Sequence, residues 1–480
     1  MAWTAMVKWG GQVLSWVALI FLARLLRPED YGLVGLAGLY LGFVSLLTEG
    51  GLGSTIVIMR QMTKDEIAQF NSVAALMGAA GSILTCFAAY PLGWYFDSTA
   101  LPAVVLALSV NATLSALRIV PIAILQRQLR FRSLAAVDGI QAITSTAATL
   151  GLALAGWSYW ALVGGSLLGS MAATATANRL SPQPFSTPRR GSLGQYVHFT
   201  RDLLVGRIAW FVYSNADFVV AGRTLGTAAL GMYTFAWNIA STPVEKVSAL
   251  VSRVTPSILS RLKGDRAELA GMFVAVTEGL VYLTLPASIG LAIVARDFVA
   301  VYLGPQWGGA VVPLQILAVY ATFRSVATLP AQVLTALGDT RFLMINGLAT
   351  AITMPVSFVL GSRWGAPGIA AVWLLVYPIH TIVMFRRAFR GLDLATRTYF
   401  AAMFPAARAT AIMAATIFAV RFLESPGMSA PVRLAVEVGG GAVAFVIFGI
   451  VPRIGRIRQI AARLRAPDGS PLADPQGSTR

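Results

Sequence analysis

Apolar residues in this chain come in long runs, and polar residues are confined to short breaks between them. The first runs cover roughly 7–26, 32–58, 70–95, 101–125, 134–155, 157–178 and 202–222. The rest cover 228–257, 270–294, 309–336, 342–361, 366–385, 400–422 and 432–452. Each is near the ~20 residues that a helix needs to cross a bilayer core. The pattern predicts an all-α polytopic membrane protein with about fourteen transmembrane helices. The run at 7–26 has the length of a signal peptide. However, it lacks a small-residue cleavage site, and RPEDYG leads straight into the next run, so it is read as the first helix. No break is long enough to hold an independent soluble domain.

The runs also repeat. LARLLRPEDYGLVGLA from Leu22 returns as VAGRTLGTAALGMYTFA from Val220, with Arg24 on Arg223, Leu26 on Leu225 and Gly32 on Gly231, each 199 positions apart. Further on, Pro121, Leu125, Arg132, Gly156 and Ala161 fall on Pro330, Leu334, Arg341, Gly365 and Ala370, each 209 apart. A constant offset that lengthens once points to a duplication with one insertion. The expected organisation is a six-helix lobe at 1–178, a cytoplasmic linker at 179–201 and a second six-helix lobe at 202–390. An additional helix pair at 398–452 and a basic tail at 453–480 follow. Six-span units give a parallel repeat, a build in which carriers hold cargo between halves that rock against each other. Pro243, Pro286, Pro355, Pro378, Pro405 and the EGGLG at Glu49–Gly53 stand where helices would bend or break. Pro and Gly are also common in membrane helices for no mechanical reason.

Composition sharpens the class. Of 480 residues, 56% are hydrophobic and 12% charged, and mean hydropathy is +0.71; soluble domains average about 25% charged. The net charge of +17 would suit nucleic acid if it were spread over a surface, but its placement is topological. With the N-terminus inside, 24 of the 37 Lys and Arg fall in cytoplasmic segments and six in outer ones. That bias puts both termini in the cytoplasm. The tail RIGRIRQIAARLR has the spacing of an amphipathic helix lying on anionic membrane lipids, and no nucleic acid is needed. A single cysteine, Cys86, lies in an apolar run, which excludes a disulfide framework and a thiol metal site.

Several fragments together resemble one family. They include LARLLRPEDYGLVGLA, EGGLGSTIVIMRQMTKDE, ILQRQLRFRSLA, GWSYWALVGGSL, NADFVVAGRTLGTAALGMYTFAW, SRVTPSILSRLKGD, YLGPQWGGAVVPL and VLTALGDTRFLMINGL. From about residue 5 to residue 390, in order, they look like the polysaccharide transporter family. These are the Wzx-like O-antigen and exopolysaccharide repeat-unit flippases of the MOP (multidrug/oligosaccharidyl-lipid/polysaccharide) exporter superfamily. The resemblance implies a V-shaped, MATE-like bundle of two lobes in the bacterial inner membrane. It also implies alternating access and a polyprenyl-diphosphate-linked oligosaccharide as cargo, with a polymerase and glycosyltransferases as neighbours in the pathway.

Candidate residues follow from depth, because an ionisable group far inside a span is costly and marks function. Helices running from outside to inside carry Glu49, Arg118, Glu245 with Lys246, and Arg324 some 15–18 residues in, at matching depth in the two halves. A diphosphate head needs cations, so Arg118, Lys246 and Arg324 are the expected cargo contacts. Glu49 and Glu245 are expected as their partners or as groups for H⁺ or Na⁺ coupling. Arg118 is also close enough to the inner end to snorkel, as are Arg207 and Arg253. Asp217 is expected to pair with Arg223, with coupling as the alternative. Glu278 and Arg408 read as helix contacts, and His198 and His380 as structural, since neither has metal-ligand company. Trp3, Trp9, Trp94, Trp157, Tyr159, Trp160, Trp307 and Trp364 sit at span ends, as in an interfacial belt.

No P-loop, H-E-x-x-H, G-x-S-x-G or Asp-x-Asp pair is present, so neither ATP hydrolysis nor sugar transfer is expected on this chain. The reading is a carrier, not an enzyme, and needs no cofactor. A lipid II flippase, a drug/cation antiporter of the same superfamily and, from another class, a membrane polysaccharide polymerase or ligase stand as alternatives.

Overall fold

The computed structural model describes residues 20–49, 51–58, 62–261, 265–423, 428–453 and 455, with side chains outside 190–206, 209, 246–261 and 453. The predicted first span, apart from its last residues, and almost all of the basic tail lie outside that set. The other predicted runs are all helical, and no strand occurs among the described residues. In order the helices are α1 (Pro28–Glu49), α2 (Leu52–Ile58), α3 (Lys64–Tyr95), α4 (Leu101–Leu108) and α5 (Val110–Arg127). Next come α6 (Phe131–Leu154), α7 (Tyr159–Leu180), α8 (Arg190–Arg261), α9 (Arg266–Phe298) and α10 (Val311–Ala327). The last are α11 (Leu329–Ala336), α12 (Thr340–Gly361), α13 (Gly365–Leu375), α14 (Tyr377–Gly391), α15 (Thr396–Leu423) and α16 (Ala430–Phe445). Among the described residues, eight helical stretches are long and apolar enough to cross a membrane by length and composition. Large apolar side chains such as Phe87, Trp94, Phe404 and Phe422 point outward from these helices, which only a hydrocarbon solvent rewards. The chain is a multi-pass membrane protein.

Helix ends fall where the chemistry dictates. α3 opens on a capping box, with Thr63 and Glu66 each bonding the other's backbone N–H. The EGGLG stretch breaks the path between α1 and α2 at Gly51, whose φ is +85°. Two predicted spans meet in α8, which leaves helical geometry at Gly226 (φ 81°, ψ 177°). The same helix runs on through Pro243, so the break expected there does not form. Of the expected linker, 182–189 has no regular secondary structure and α8 begins at Arg190. Asn71 and Ser72, Gln69 and Asp65 bind this strap through Gln183, Pro184, Ser186 and Arg189.

The repeat is visible in the backbone. After α5, Leu129 takes φ +56°, and after α11, 209 residues on, Gly338 takes φ +82°. Both turns close by the same bonds: Arg130 N to Leu125 O, and Asp339 N to Leu334 O, each at 2.9 Å. That is the Schellman ending, in which a left-handed residue lets the chain satisfy the last carbonyls of a helix. Gly156 and Gly365, again 209 apart, also share a positive φ, at 81° and 69°.

Two compact units make up the chain. The first gathers Met1–Ile239, Arg296–Leu317 and Ile345–Tyr377, and so contains residues of both predicted lobes. Its largest buried side chains include Trp307, Tyr233, Phe235 and Phe358. The second gathers Ala240–Ala295, Ala318–Met344 and Pro378–Arg480. There, Phe273 stacks on Tyr399 (ring centroids 5.3 Å apart), and Leu269, Leu280, Leu334 and Phe389 close the core around them. In α15 and α16, Arg421 grips the fully buried Glu437 with two bonds of 2.8 and 3.1 Å. This pairing lets a carboxylate sit inside apolar surroundings.

Candidate functional site

At the end predicted to face outward, the first unit is closed by contacts that come in repeat-related pairs. A Cβ placed on Gly32 would lie 1.8 Å from the Thr227 carbonyl oxygen. One on Gly231 would lie 1.8 Å from the Pro28 carbonyl oxygen. Gly32 and Gly231 are 199 apart, and so are Pro28 and Thr227, so the sequence offset exchanges the two contacts as a two-fold relation in space would. Only glycine permits backbones this close. The two matched arginines extend the pattern. Arg24 donates to the Val301 and Tyr302 carbonyls past the end of α9, while Arg223 pairs with Asp97 past the end of α3 and lies over the Tyr95 ring. Each arginine comes from one half of the repeat and reaches the other: Arg24 satisfies carbonyls there, and Arg223 pairs with a carboxylate just past a helix end. In hydrocarbon, an unpaired carbonyl would cost several kcal/mol.

Trp307 completes this seal, and here the belt expectation is corrected. Its side chain is 0% exposed. Its Nε1–H donates to Ala23 O at 2.8 Å, and Gln306 donates to the same oxygen at 3.0 Å. The indole packs on Phe235 (4.4 Å) and edge-on against Tyr31 (5.4 Å). Trp94, Trp157 and Trp364 are exposed as an interfacial belt requires, Trp160 is half-buried, and Trp3 and Trp9 lie outside the described residues.

The candidate charges fall into two groups, one in each unit. In the first unit, half-buried Arg118 donates to Gln141 Oε1 at 2.8 Å. Glu49 and Asp138 are within its electrostatic reach, and Glu49 is also within reach of Arg207. Gln141, Asp138 and Arg207 therefore join a cluster of which depth alone named two members. Arg207 was set aside as a snorkelling residue because it stands only five residues after the predicted start of its span. In the second unit, Arg324 Nη1 bonds Glu245 Oε1 at 2.8 Å, with both side chains partly exposed. A cation held in this way remains reachable. Lys246 lies outside the described side chains. Arg408 is exposed and Glu278 is buried, and no three His, Cys, Asp or Glu gather as a metal site among the described residues.

Asp217 departs from its expected pairing. Arg223 is taken by Asp97, and Asp217 is instead fully buried. One carboxylate oxygen accepts from Tyr233 Oη at 2.7 Å and from Trp373 Nε1 at 2.9 Å, and the other, Oδ1, has no hydrogen-bond partner. Trp373 is 156 residues away, and nothing in the spacing of apolar positions announces that contact.

Residues 21–312 match the family described as Polysaccharide biosynthesis protein. The chain is 25% identical to the succinoglycan biosynthesis transport protein ExoT of Rhizobium meliloti (strain 1021), over 98% of this chain and 96% of that one. It is 23% identical to the lipopolysaccharide biosynthesis protein WzxC of Escherichia coli (strain K12), over 78% of this chain and 76% of that one. Among solved structures, the lipid II flippase MurJ in an inward closed conformation superposes with a TM-score of 0.73 at 13% identity, covering 95% of this chain and all of that one. An inward-facing MATE family transporter of the MOP superfamily gives 0.60 at 14% identity, over 80% and 94%. At these identities the likeness shows the fold: an all-α bundle of the MurJ and MATE type.

Proposed function

Because the chain belongs to the polysaccharide biosynthesis protein family, we propose that it carries polyprenyl-diphosphate-linked oligosaccharide units from the inner to the outer leaflet of a bacterial inner membrane. The observation that carries this reading is the cation–carboxylate site in each half of the repeat. Arg324 with Glu245, and Arg118 near Glu49, stand on helices related by the same offsets. A diphosphate exchanging for the carboxylate at such a cation loses water but keeps its charge paired, which makes its passage through hydrocarbon tolerable. The near full-length likeness to a transport protein of succinoglycan biosynthesis supports the same class. Transport by alternating access requires the seal at Gly32, Gly231, Arg24 and Trp307 to open outward after the cargo has entered from inside. The chain acts as a carrier and not as an enzyme, with both termini in the cytoplasm as the cation bias requires.

Coupling is assigned to the carboxylates. Glu49 and Glu245 are freed when cargo takes their cations, and each can then bind H⁺ or Na⁺. Asp217, buried with one unpartnered oxygen and no cation beside it among the described residues, is a second kind of coupling site. A lipid II carrier or a drug antiporter of the same fold would use the same geometry; the family match favours polysaccharide precursors.

The test is deletion of the gene, followed by assay of lipid-linked oligosaccharide on each face of the membrane. Accumulation on the inner face with loss of surface polysaccharide is expected. An Arg324→Ala chain should restore less than a tenth of export while still inserting. Single units reaching the outer face unpolymerised would instead place the chain downstream of flipping, as a polymerase or ligase.

A further inference from the structure

Next to the seal lies a cavity of about 470 Å³ within the first unit, inside the range of about 300–1,000 Å³ that ligand clefts occupy. Its walls come from the turns at the predicted outer end, with Arg27, Glu29 and Asp30 on one, Ser98 on the next, Ser158 and Tyr159 on the third, and Thr227. Thr227 is the residue whose carbonyl faces Gly32, so this wall is complete only while the seal is closed. Neither the cargo cations nor Asp217 lines this space.

The lining is divided by chemistry. Leu25, Leu26, Leu33, Ala100 and Ala153 give an apolar floor, and Tyr159 gives a ring. Arg27 and Glu29 give an exposed guanidinium and an exposed carboxylate, and no side chain among the described residues bonds either of them. Asp30, only 7% exposed, is already spent: it accepts from Arg27 N at 2.8 Å and from Ser158 Oγ, and so fixes the first turn to the third. The cavity is therefore braced from within, with a donor fork and an acceptor pair left over among the described residues. Apolar surface beside paired hydrogen-bonding groups is what a pyranose ring needs, since its C–H face is apolar and its hydroxyls both donate and accept. Two carboxylates against one arginine disfavour an acidic sugar or a phosphate.

We propose that this cavity binds neutral hexopyranose units of a glycan at the outer end of the protein, through Arg27, Glu29, Ser98 and Tyr159. This rests on the reading of the chain as a glycan carrier, and it adds a second saccharide site apart from the charged ones. The site takes the sugars while the seal is closed, and so holds glycan at the outer face between openings.

The full chain in lipid nanodiscs is titrated with a panel of free glucosyl, galactosyl and mannosyl disaccharides, and saturation-transfer NMR reports binding. At least one neutral disaccharide should bind saturably. Arg27→Ala and Glu29→Gln should each weaken it at least five-fold without changing thermal unfolding, and Arg324→Ala should leave it unchanged. If no disaccharide binds the wild-type chain, or if both cavity variants bind as the wild type does, the proposal is overturned. Its failure is separable from that of the carrier reading, which stands or falls on the deletion strain: unaltered export there with saccharide binding intact would remove the carrier role alone.

Discussion

Leu129 holds a conformation that its repeat partner, Gly338, gives to glycine. The left-handed region costs an L residue about 1–2 kcal/mol, while a glycine there costs about 0.5–1 kcal/mol through the freedom it gains unfolded. Leu129 is 68% exposed, so little buried surface is lost with its side chain. Leu129→Gly is therefore expected to raise thermal stability by a degree or two, and Gly338→Leu to lower it by more; thermal unfolding of the detergent-solubilised chain checks both. This pair was legible in the sequence because the repeat offset passes through it. Asp217 was not. NADFVVAGR puts Arg223 within two helical turns, and that neighbour suggested the pairing. The actual donors are Tyr233, beyond the Gly226 break in α8, and Trp373, from another segment of the fold. Trp307 shows the same limit: beside GPQWGG it looks like a residue at a water interface, and only the position of the Ala23 carbonyl explains its burial.

Helices are the best-read scale of this molecule. Outside the first span, each predicted run is helical, because twenty apolar residues in lipid have no other way to pair their backbone. Glycine breaks at Gly51 and Gly226 were readable from EGGLG and from the end of a run. At Pro243 no break forms: a proline costs one helical bond, and α8 keeps helical geometry through it. The seal between elements yields a sharper expectation. Gly32→Ala and Gly231→Ala each push a methyl into a carbonyl and are expected to cut export at least ten-fold in complemented cells, with insertion intact. Both load one contact, so the double variant should cost about as much as the worse single one. Independent, multiplying losses would show that the two glycines act apart. Trp307→Phe keeps the ring stack but orphans a donor's share of Ala23 O, and a loss of about 1–2 kcal/mol in stability is expected.

For the whole molecule, charge placement makes a claim that packing cannot make. Ser98→Cys, in a chain whose own cysteine is removed by Cys86→Ser, should react with an impermeant maleimide from outside intact spheroplasts. An introduced cysteine at Ser186, on the strap, should react only after lysis; the reverse pattern would invert the topology. Membrane class and family were both readable from the sequence, the first from run length and the second from motif order. The division into two compact units was not, since it cuts α8, α10 and α12 inside the predicted runs. One feature reaches back beyond the present protein. In the contact at Gly32 and Gly231, each side presents a glycine and accepts a carbonyl, so either half carries both sides of the interface. A surface of that kind meets its own copy by two-fold symmetry. An ancestor of half the length could have paired with itself as a homodimer through it, and fusing the two genes would have required only a tether such as the strap before α8.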